Sequence, residues 1–426
     1  MRRAAAAAAG GEEAPAGAPG PSPEEEQRKK ATVIHVVYLI AALDITWMFL
    51  QFSVTPYLAK KLGFDTLWFG YLQTTVGVIQ LIGGPMFGRF ADLFGARLAL
   101  SVSCSATIVF FLLLAVTNHP AMLFIHKLPT VFIHVLPACQ MVIADLSEPE
   151  NRADALSKLG LCFGIGMITG STLGGHLITR YGETFTACVG AAGSAFSLLL
   201  VLKFIPKTTK TQAAAADAHS ENTNKSVFSV GEITRLMKFP GVVRTFAVKI
   251  VAGLPSGIFQ VMFSIIALDF FKLQPEQNGY LMAYFGIVNM FIQGGVMGPM
   301  TARFTENYLL VLSVGVASLV GLAQAYMQSV FQLCLTIIPM MFSLSVFNVI
   351  TDTMLTKSVP STDTGTMMGL CASVQSLLRT VGPTLGGFLY VNYGLPSIGL
   401  TQFVVNAAVF AYLLRPHLKK TPERRE

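Results

Sequence analysis

The sequence predicts an all-α membrane protein of twelve transmembrane helices, arranged as two parallel six-helix repeats. Three observations carry that expectation. Of 426 residues, 53% are apolar and only 12% charged, whereas a soluble domain carries about 25% charged residues. The apolar residues gather into blocks long enough to cross ~30 Å of hydrocarbon as helices of roughly 20 residues. The chain also repeats its own glycine pattern about 209 residues later.

The blocks fall at 33–57, 68–88, 98–117, 121–143, 157–178, 184–205, 244–271, 277–298, 308–326, 331–351, 366–389 and 396–414. They do not alternate apolar with polar residues, as barrel strands would. Residues 1–31 are a different material. An Ala/Gly/Pro-rich run leads to Glu24, Glu25 and Glu26, then Arg28, Lys29 and Lys30. Such a segment cannot bury a core, and we read it as a disordered cytosolic tail. The expected organisation is then an N-terminal bundle (32–206), a polar cytosolic linker (207–243), a C-terminal bundle (244–415) and a short cytosolic tail (416–426).

Charge sets the orientation. With the amino terminus inside, most of the 30 Lys and Arg fall in cytosolic segments, and the outer loops hold only Lys60, Lys61, Arg180 and Lys272. Basic residues stay on the cytosolic side during insertion, so both termini are expected in the cytosol. The net charge of +7 therefore reflects orientation in a bilayer. No basic run is interleaved with exposed aromatics, so no nucleic-acid partner is expected. Cys104, Cys139, Cys162, Cys188, Cys334 and Cys371 all fall in predicted helices without CxxC spacing, which reads as packing and not as a metal or disulfide framework. The sequon Asn224-Lys225-Ser226 lies in the cytosolic linker and is expected to stay unmodified.

The repeat is specific. Gly70-Tyr71-Leu72 with Gly77 returns as Gly279-Tyr280-Leu281 with Gly286, and Gly160-Leu161-Cys162 returns as Gly369-Leu370-Cys371. The stretch 170–175 is answered by 382–387. The second helix thus matches the eighth and the fifth matches the eleventh, each pair in the same direction, so the repeats are parallel.

In the turn after the second helix, Gly88-Arg89-Phe90-Ala91-Asp92-Leu93-Phe94-Gly95-Ala96-Arg97 spells GxxxDxxGxR. Glycines permit a tight turn, and Asp92 can face the positive amino end of a neighbouring helix. The spacing resembles the loop that marks the major facilitator superfamily, with Leu93 standing where a basic residue is usual. Ala144-Asp145-Leu146, then Glu150, Arg152 and Ala153, and the glycine-rich run Gly160 to Gly175 resemble the fourth-to-fifth helix region of drug–proton antiporters. In that group the fifth helix usually reads GxxxGPxxGG. Here Ser171 replaces the proline, which appears in the C-terminal copy as Pro383. Small residues four apart also let helices pack closely, so packing stands as a second reading of this stripe.

The resemblance spans about residues 32–415, and its stretches 69–74 and 363–370 are similar to the organic-cation-transporter-like solute carriers. The loop after the first helix, Ala59 to Leu67, is far shorter than the glycosylated ectodomain of that family. What the resemblance implies is a secondary transporter working by alternating access, with proton-coupled antiport of organic cations or amphiphilic drug-like solutes. It implies a monomer without a cofactor, in the apical plasma membrane, with an intracellular membrane as the alternative. Gly88, Arg89, Asp92, Gly95, Arg97, Asp145, Glu150 and Arg152 are expected to form a cytosolic gate near the start of the eleventh helix.

Charges inside the predicted spans are the candidate machinery. Asp44 lies about eleven residues into the first helix, ~17 Å along it. Groups at that depth face a cavity or a partner, so a transport role and a structural ion pair are its two readings. Its setting, with Pro56 and Leu58 beyond, resembles the first helix of tetracycline-type antiporters, which carry an acidic residue there. Lys127 enters the fourth helix from the outer side, where those antiporters carry arginine, and snorkelling to the interface is its competing reading. Arg379 is too deep in the eleventh helix to snorkel and calls for a carboxylate, a substrate anion or a water-filled cavity, with Asp44 as one candidate partner. Lys249, near the inner end of the seventh helix, reads as an interfacial anchor. His126 and His134 can relay protons or simply pack. Gln51, Gln73, Gln260, Asn289, Gln293, Asn348 and Gln375 can line the cavity or bridge helices.

Other function classes fare worse. No Gly-rich phosphate loop with its lysine is present, which excludes ATP-driven pumping. No paired carboxylates, histidine cluster or nucleophile–base spacing marks an intramembrane enzyme. A scaffold on a transporter fold would have no use for charges at mid-depth. One tension stays in the sequence: Asp44 against Lys127 and Arg379 suits an anion, a zwitterion or a neutral amphiphile at least as well as a cation. Asp44 is the expected proton carrier, its proton affinity changing as the basic residues approach or withdraw.

Overall fold

The computed structural model describes residues 23–147, 152–209, 230–359 and 364–418. In chain order its helices are α1 (Pro23–Lys61), α2 (Thr66–Phe94), α3 (Ala96–Ala115), α4 (Pro120–Ile125), α5 (Val135–Leu146), α6 (Arg152–Phe204), α7 (Val230–Met237), α8 (Val242–Asp269), α9 (Pro275–Phe291), α10 (Met297–Arg303), α11 (Glu306–Ala325), α12 (Val330–Lys357), α13 (Thr364–Tyr393) and α14 (Leu395–Leu418). No strand occurs among the described residues.

Local chemistry sets the helix ends. Asp65 caps α2, its Oδ1 accepting from the Trp68 N–H at 2.8 Å, and a Ser329–Gln332 capping box opens α12. Single glycines with positive φ turn the corners between α2 and α3 (Gly95, 88°) and between α13 and α14 (Gly394, 78°). Gly182 does more. A straight helix of 53 residues would run ~80 Å, yet Gly166 packs against Ile45 and Gly193 against Trp47, near neighbours on α1. The chain therefore reverses at Gly182, where φ is 83°, and α6 makes two passes.

Nine described stretches are long and apolar enough to cross a membrane, residues 158–204 counting once despite that reversal. The remaining long helices, α2 and α13, have 29 and 30 residues, and together the helices run over all twelve predicted blocks. Their outward faces are apolar, with Phe331 72% exposed, as a lipid-facing surface requires.

The structure differs from expectation in four places. α2 runs on to Phe94, so residues 88–94 of the expected turn are helical and Gly95 alone makes the corner. α1 begins at Pro23, inside the segment read as tail, because Glu24, Glu25 and Glu26 suit a helix amino end and Glu26 pairs with Lys30 one turn on at 3.0 Å. Within the expected linker, α7 is a short helix whose Leu236 is buried with Val242 and Phe246. The fourth span, expected as one helix over 121–143, is broken: α4 stops at Ile125, Leu128–Phe132 form a 3-10 turn, and α5 restarts at Val135. Pro129 has no N–H to continue the ladder and disfavours helix at Leu128. Residues 1–22, 210–229 (with Asn224) and 419–426 lie outside the described residues.

The two halves meet by close backbone approach, as membrane helices do when hydrophobic burial between them drives nothing. Gly70 of α2 lies against the Pro383 carbonyl of α13, and its repeat partner Gly279 of α9 lies against the Ser171 carbonyl of α6. Gly175 of α6 meets Pro275 and Glu276, and its counterpart Gly387 of α13 meets Thr66 and Leu67. A Cβ at any of these would collide with backbone. The contacts are paired by the repeat, so a pseudo-two-fold axis relates the halves. They lie between mid-membrane and the face away from the chain ends, here the distal face. Toward the terminal face, Gly160, Gly294 and Gly298 have open space beside them.

Candidate functional site

In the N-terminal half, α1 presents Asp44, Gln51 and Thr55 at spacings of seven and four residues, hence on one face. The break in the fourth span supplies Lys127. Only 2% of Lys127 is exposed, so it does not snorkel. Its Nζ donates to Gln51 Oε1 at 3.2 Å and sits 4.9 Å from the Phe110 ring centroid. Gln51 Oε1 also accepts from the Thr55 hydroxyl at 3.0 Å. The ammonium thus has a neutral amide and an aromatic face around it, and no carboxylate among the described residues.

Ser103 of α3 makes that break tolerable. Its hydroxyl donates to the Phe132 carbonyl at 2.6 Å and accepts from the His134 N–H at 2.6 Å, so both backbone groups freed by the turn are satisfied inside the membrane. The imidazole of His134 rests on Phe87, centroids 5.1 Å apart, and that of His126 on Phe110 at 5.0 Å. Neither Nε2 has a hydrogen-bond partner among the described residues.

Asp44 is half-buried and lies within electrostatic range of Cys104 and Cys139, facing α3 and α5. Among the described residues it forms no ion pair with Arg379. Arg379 is exposed midway along α13, and since a guanidinium does not face lipid at that depth, it looks into a water-accessible cleft. Gln375, one turn away on the same face, donates through Nε2 to Asn348 Oδ1 of α12 at 2.8 Å. Gln293 donates to Asn289 Oδ1 at 3.1 Å, beside a π turn over Ile292–Val296. Gln73 is half-buried and Gln260 exposed.

One expectation is overturned. Lys249 is no interfacial anchor: it is 0% exposed, its Nζ bonding Asp352 Oδ1 at 2.8 Å and the Thr351 hydroxyl at 3.1 Å. Asp352 escaped the sequence reading because it lies near the end of its span, where a charge looks like an interfacial residue. A basic residue near a helix end reads alike as an anchor or as half of a buried ion pair unless the helix that faces it is known.

A second missed set closes the distal face. Lys60 of α1 pairs with Asp269 of α8 at 3.2 Å, and Tyr390 of α13 donates to the same carboxylate at 3.0 Å. Tyr57 donates to the Leu273 carbonyl at 3.0 Å. Across α6 and α9, His176 lies 3.1 Å from Glu276, which also accepts from Tyr280 at 3.0 Å.

Of the expected cytosolic gate, Gly95 forms the α2–α3 corner. Arg97 donates to the Leu202 carbonyl at 2.6 Å, and Asp145 accepts from Thr209 at 2.8 Å. Both turn to the end of α6 and the segment after it. Gly88 lies within α2; Glu150 and the side chains of Arg89, Asp92 and Arg152 lie outside the described residues.

The sequence matches the family model described as Major Facilitator Superfamily over residues 36–323 and 245–426, two overlapping matches that suit a duplicated chain. It is 48% identical over 405 residues to human (Homo sapiens) solute carrier family 67 member A1, covering 93% of this chain and 94% of that one. Solute carrier family 22 member 18 of Rattus norvegicus is 49% identical over 397 residues, covering 92% and 96%. The class H tetracycline resistance protein of Pasteurella multocida is 24% identical over 386 residues, covering 89% and 94%. Among solved structures, the nucleoside transporter NupG aligns with a TM-score of 0.70 at 16% identity, over 91% of this chain and 100% of that one. The human organic anion transporter MFSD10 aligns with a TM-score of 0.63 at 18% identity, over 91% and 99%.

Proposed function

Since the chain belongs to the major facilitator superfamily and is a membrane transporter of that class, we propose that it is a proton-coupled antiporter of amphiphilic, drug-like solutes working by alternating access. The observation that carries this reading is Asp44, a half-buried carboxylate midway along α1 with no ion-pair partner among the described residues, on the helix face that also carries Gln51. A carboxylate so placed can load a proton from one side and release it to the other once the halves rock. The similarity to tetracycline resistance proteins, which extends over most of the chain, supports the same assignment.

With the termini in the cytosol, as the Lys/Arg bias favours, the distal face is the outer one and the described state is closed outside and open inside. Lys60–Asp269–Tyr390 and His176–Glu276–Tyr280 are then outer-gate contacts. The gate on the other side falls to the Gly88–Arg97 segment, the end of α2 and the start of α3, with Asp145, Glu150 and Arg152. We place the chain in the plasma membrane as a monomer.

Lys127 and Arg379 favour a second reading of the solute. Two basic groups without carboxylate partners among the described residues would be met by an anionic or zwitterionic amphiphile, whereas an organic cation would have one mid-depth carboxylate among the described residues, Asp44, to neutralise it. Proteoliposomes with an imposed pH gradient separate the two. Uptake of tetraethylammonium, fluorescein and tetracycline is measured side by side, and accumulation of none of them sinks the antiport reading.

A further inference from the structure

We propose that Lys249 and Asp352 form a second proton site of the transport cycle, in the C-terminal half, joined to Arg379 by a ladder of polar side chains. The proposal rests on the proton-coupled reading above and extends it to a pair that reading does not use.

The repeat supplies the first argument. α8 and α12 are the C-terminal counterparts of α1 and the fourth span. The N-terminal half carries an acid on the first of these helices and a base on the other, Asp44 and Lys127, unpaired. The C-terminal half carries a base and an acid on the corresponding helices, Lys249 on α8 and Asp352 on α12, at other levels than Asp44 and Lys127 (one repeat on from Ile40 and Ile143) and paired at 2.8 Å.

Exposure supplies the second. The Lys249 side chain is 0% exposed and the Asp352 side chain 44%. Water from the open terminal side therefore reaches the carboxylate and not the amine. A proton arriving at Asp352 removes the counter-charge of a buried ammonium, which cannot then remain in place without cost. The Thr351 hydroxyl is already committed to backbone carbonyls of α12. Relief comes from moving α8 relative to α12 inside the C-terminal half, a rearrangement that would couple the protonation of Asp352 to the rocking of that half against the other.

The ladder supplies the third. On α13, Cys371, Gln375 and Arg379 are spaced four residues apart and share one face. Cys371 lies against Asp352, Gln375 bonds Asn348 one turn along α12, and Arg379 stands at the cleft end. Other charges near this end are turned elsewhere: Arg244 of α8 stacks on Tyr412 of α14 at 5.5 Å, and Lys357 of α12 pairs with Glu306 of α11. Asp352 is faced by Lys249 from α8 and by the Cys371 thiol from α13, among other contacts.

The test is infrared difference spectroscopy on the full chain in liposomes, between mildly alkaline and mildly acidic pH, reading the carbonyl band of a protonated carboxyl group. A component of that band is expected to vanish in Asp352→Asn, to change its frequency or amplitude in Lys249→Met, and to persist in Asp44→Asn. The double variant Lys249→Met/Asp352→Leu, which replaces the pair by apolar groups of similar size, keeps the fold should the single variants fail and must also lack the component. A band unchanged by Asp352→Asn and by the double variant overturns the proposal. Loss of the band in Asp44→Asn alone overturns it while leaving the antiport reading standing. Loss in Asp352→Asn alone upholds it and removes Asp44 as the proton carrier.

Discussion

Lys127 donates to Gln51 across 3.2 Å from a point where the fourth span is not a helix. The unwound turn lets a long basic side chain enter the bundle sideways and reach α1, which a continuous helix at that position would direct differently. Gln51→Leu removes the amide and leaves the ammonium over Phe110 alone. A destabilisation of about 1–3 kcal/mol is expected for an unsatisfied buried donor, read as a lower thermal midpoint in detergent. Lys127→Met, which fills the same space without a charge, should keep the midpoint while lowering solute uptake at least tenfold.

Ser103 is the second support of the same site. Ser103→Ala deprives the Phe132 carbonyl and the His134 N–H of their partner at once, and about 1–3 kcal/mol for each unsatisfied group is expected. Ser103→Thr should retain most of the stability. An alanine variant as stable as the wild type would mean that the break does not depend on α3.

The distal contacts should set the balance between open states. Asp269→Asn weakens its bonds to both Lys60 and Tyr390. Since exposed pairs contribute little to stability, its thermal midpoint should hardly change. Labelling of a cysteine introduced at Gln73 by an impermeant reagent added outside should rise severalfold, and unchanged labelling would remove these contacts from the gate.

The pseudo-two-fold axis makes a prediction of its own. Gly70 and Gly279 meet equivalent backbone carbonyls, of Pro383 and Ser171, so Gly70→Val and Gly279→Val should impair closure of the distal face alike, each raising outside labelling in the same assay. A large effect from one and none from the other would contradict the paired geometry.

Much of this architecture was legible because bilayer and repeat both write periodic signals. Span length follows from hydrocarbon thickness, and Gly70/Gly279 with 170–175/382–387 mark the very crossings where the halves touch. What was not legible depends on partners. The break at Lys127 has a local cue in Pro129, but its stability comes from Ser103, 29 residues along the chain from the Phe132 carbonyl it satisfies. Lys249 read as an anchor because the sequence does not say that α12 turns Asp352 toward it. Lys60 and Asp269 stand one repeat apart, 209 residues, but that spacing does not say that equivalent positions touch, and His176 and Glu276 share no such link; both pairs exist only once the halves have docked.

The measurement that bears most directly on the central claim is solute accumulation by Asp44→Asn in proteoliposomes. The protein would be given the best-transported solute among tetraethylammonium, fluorescein and tetracycline, first under an imposed pH gradient and then at equal pH on both sides. The account predicts that the wild type concentrates the solute under the gradient, while Asp44→Asn does not and still exchanges it at equal pH. Undiminished gradient-driven accumulation by Asp44→Asn would contradict it.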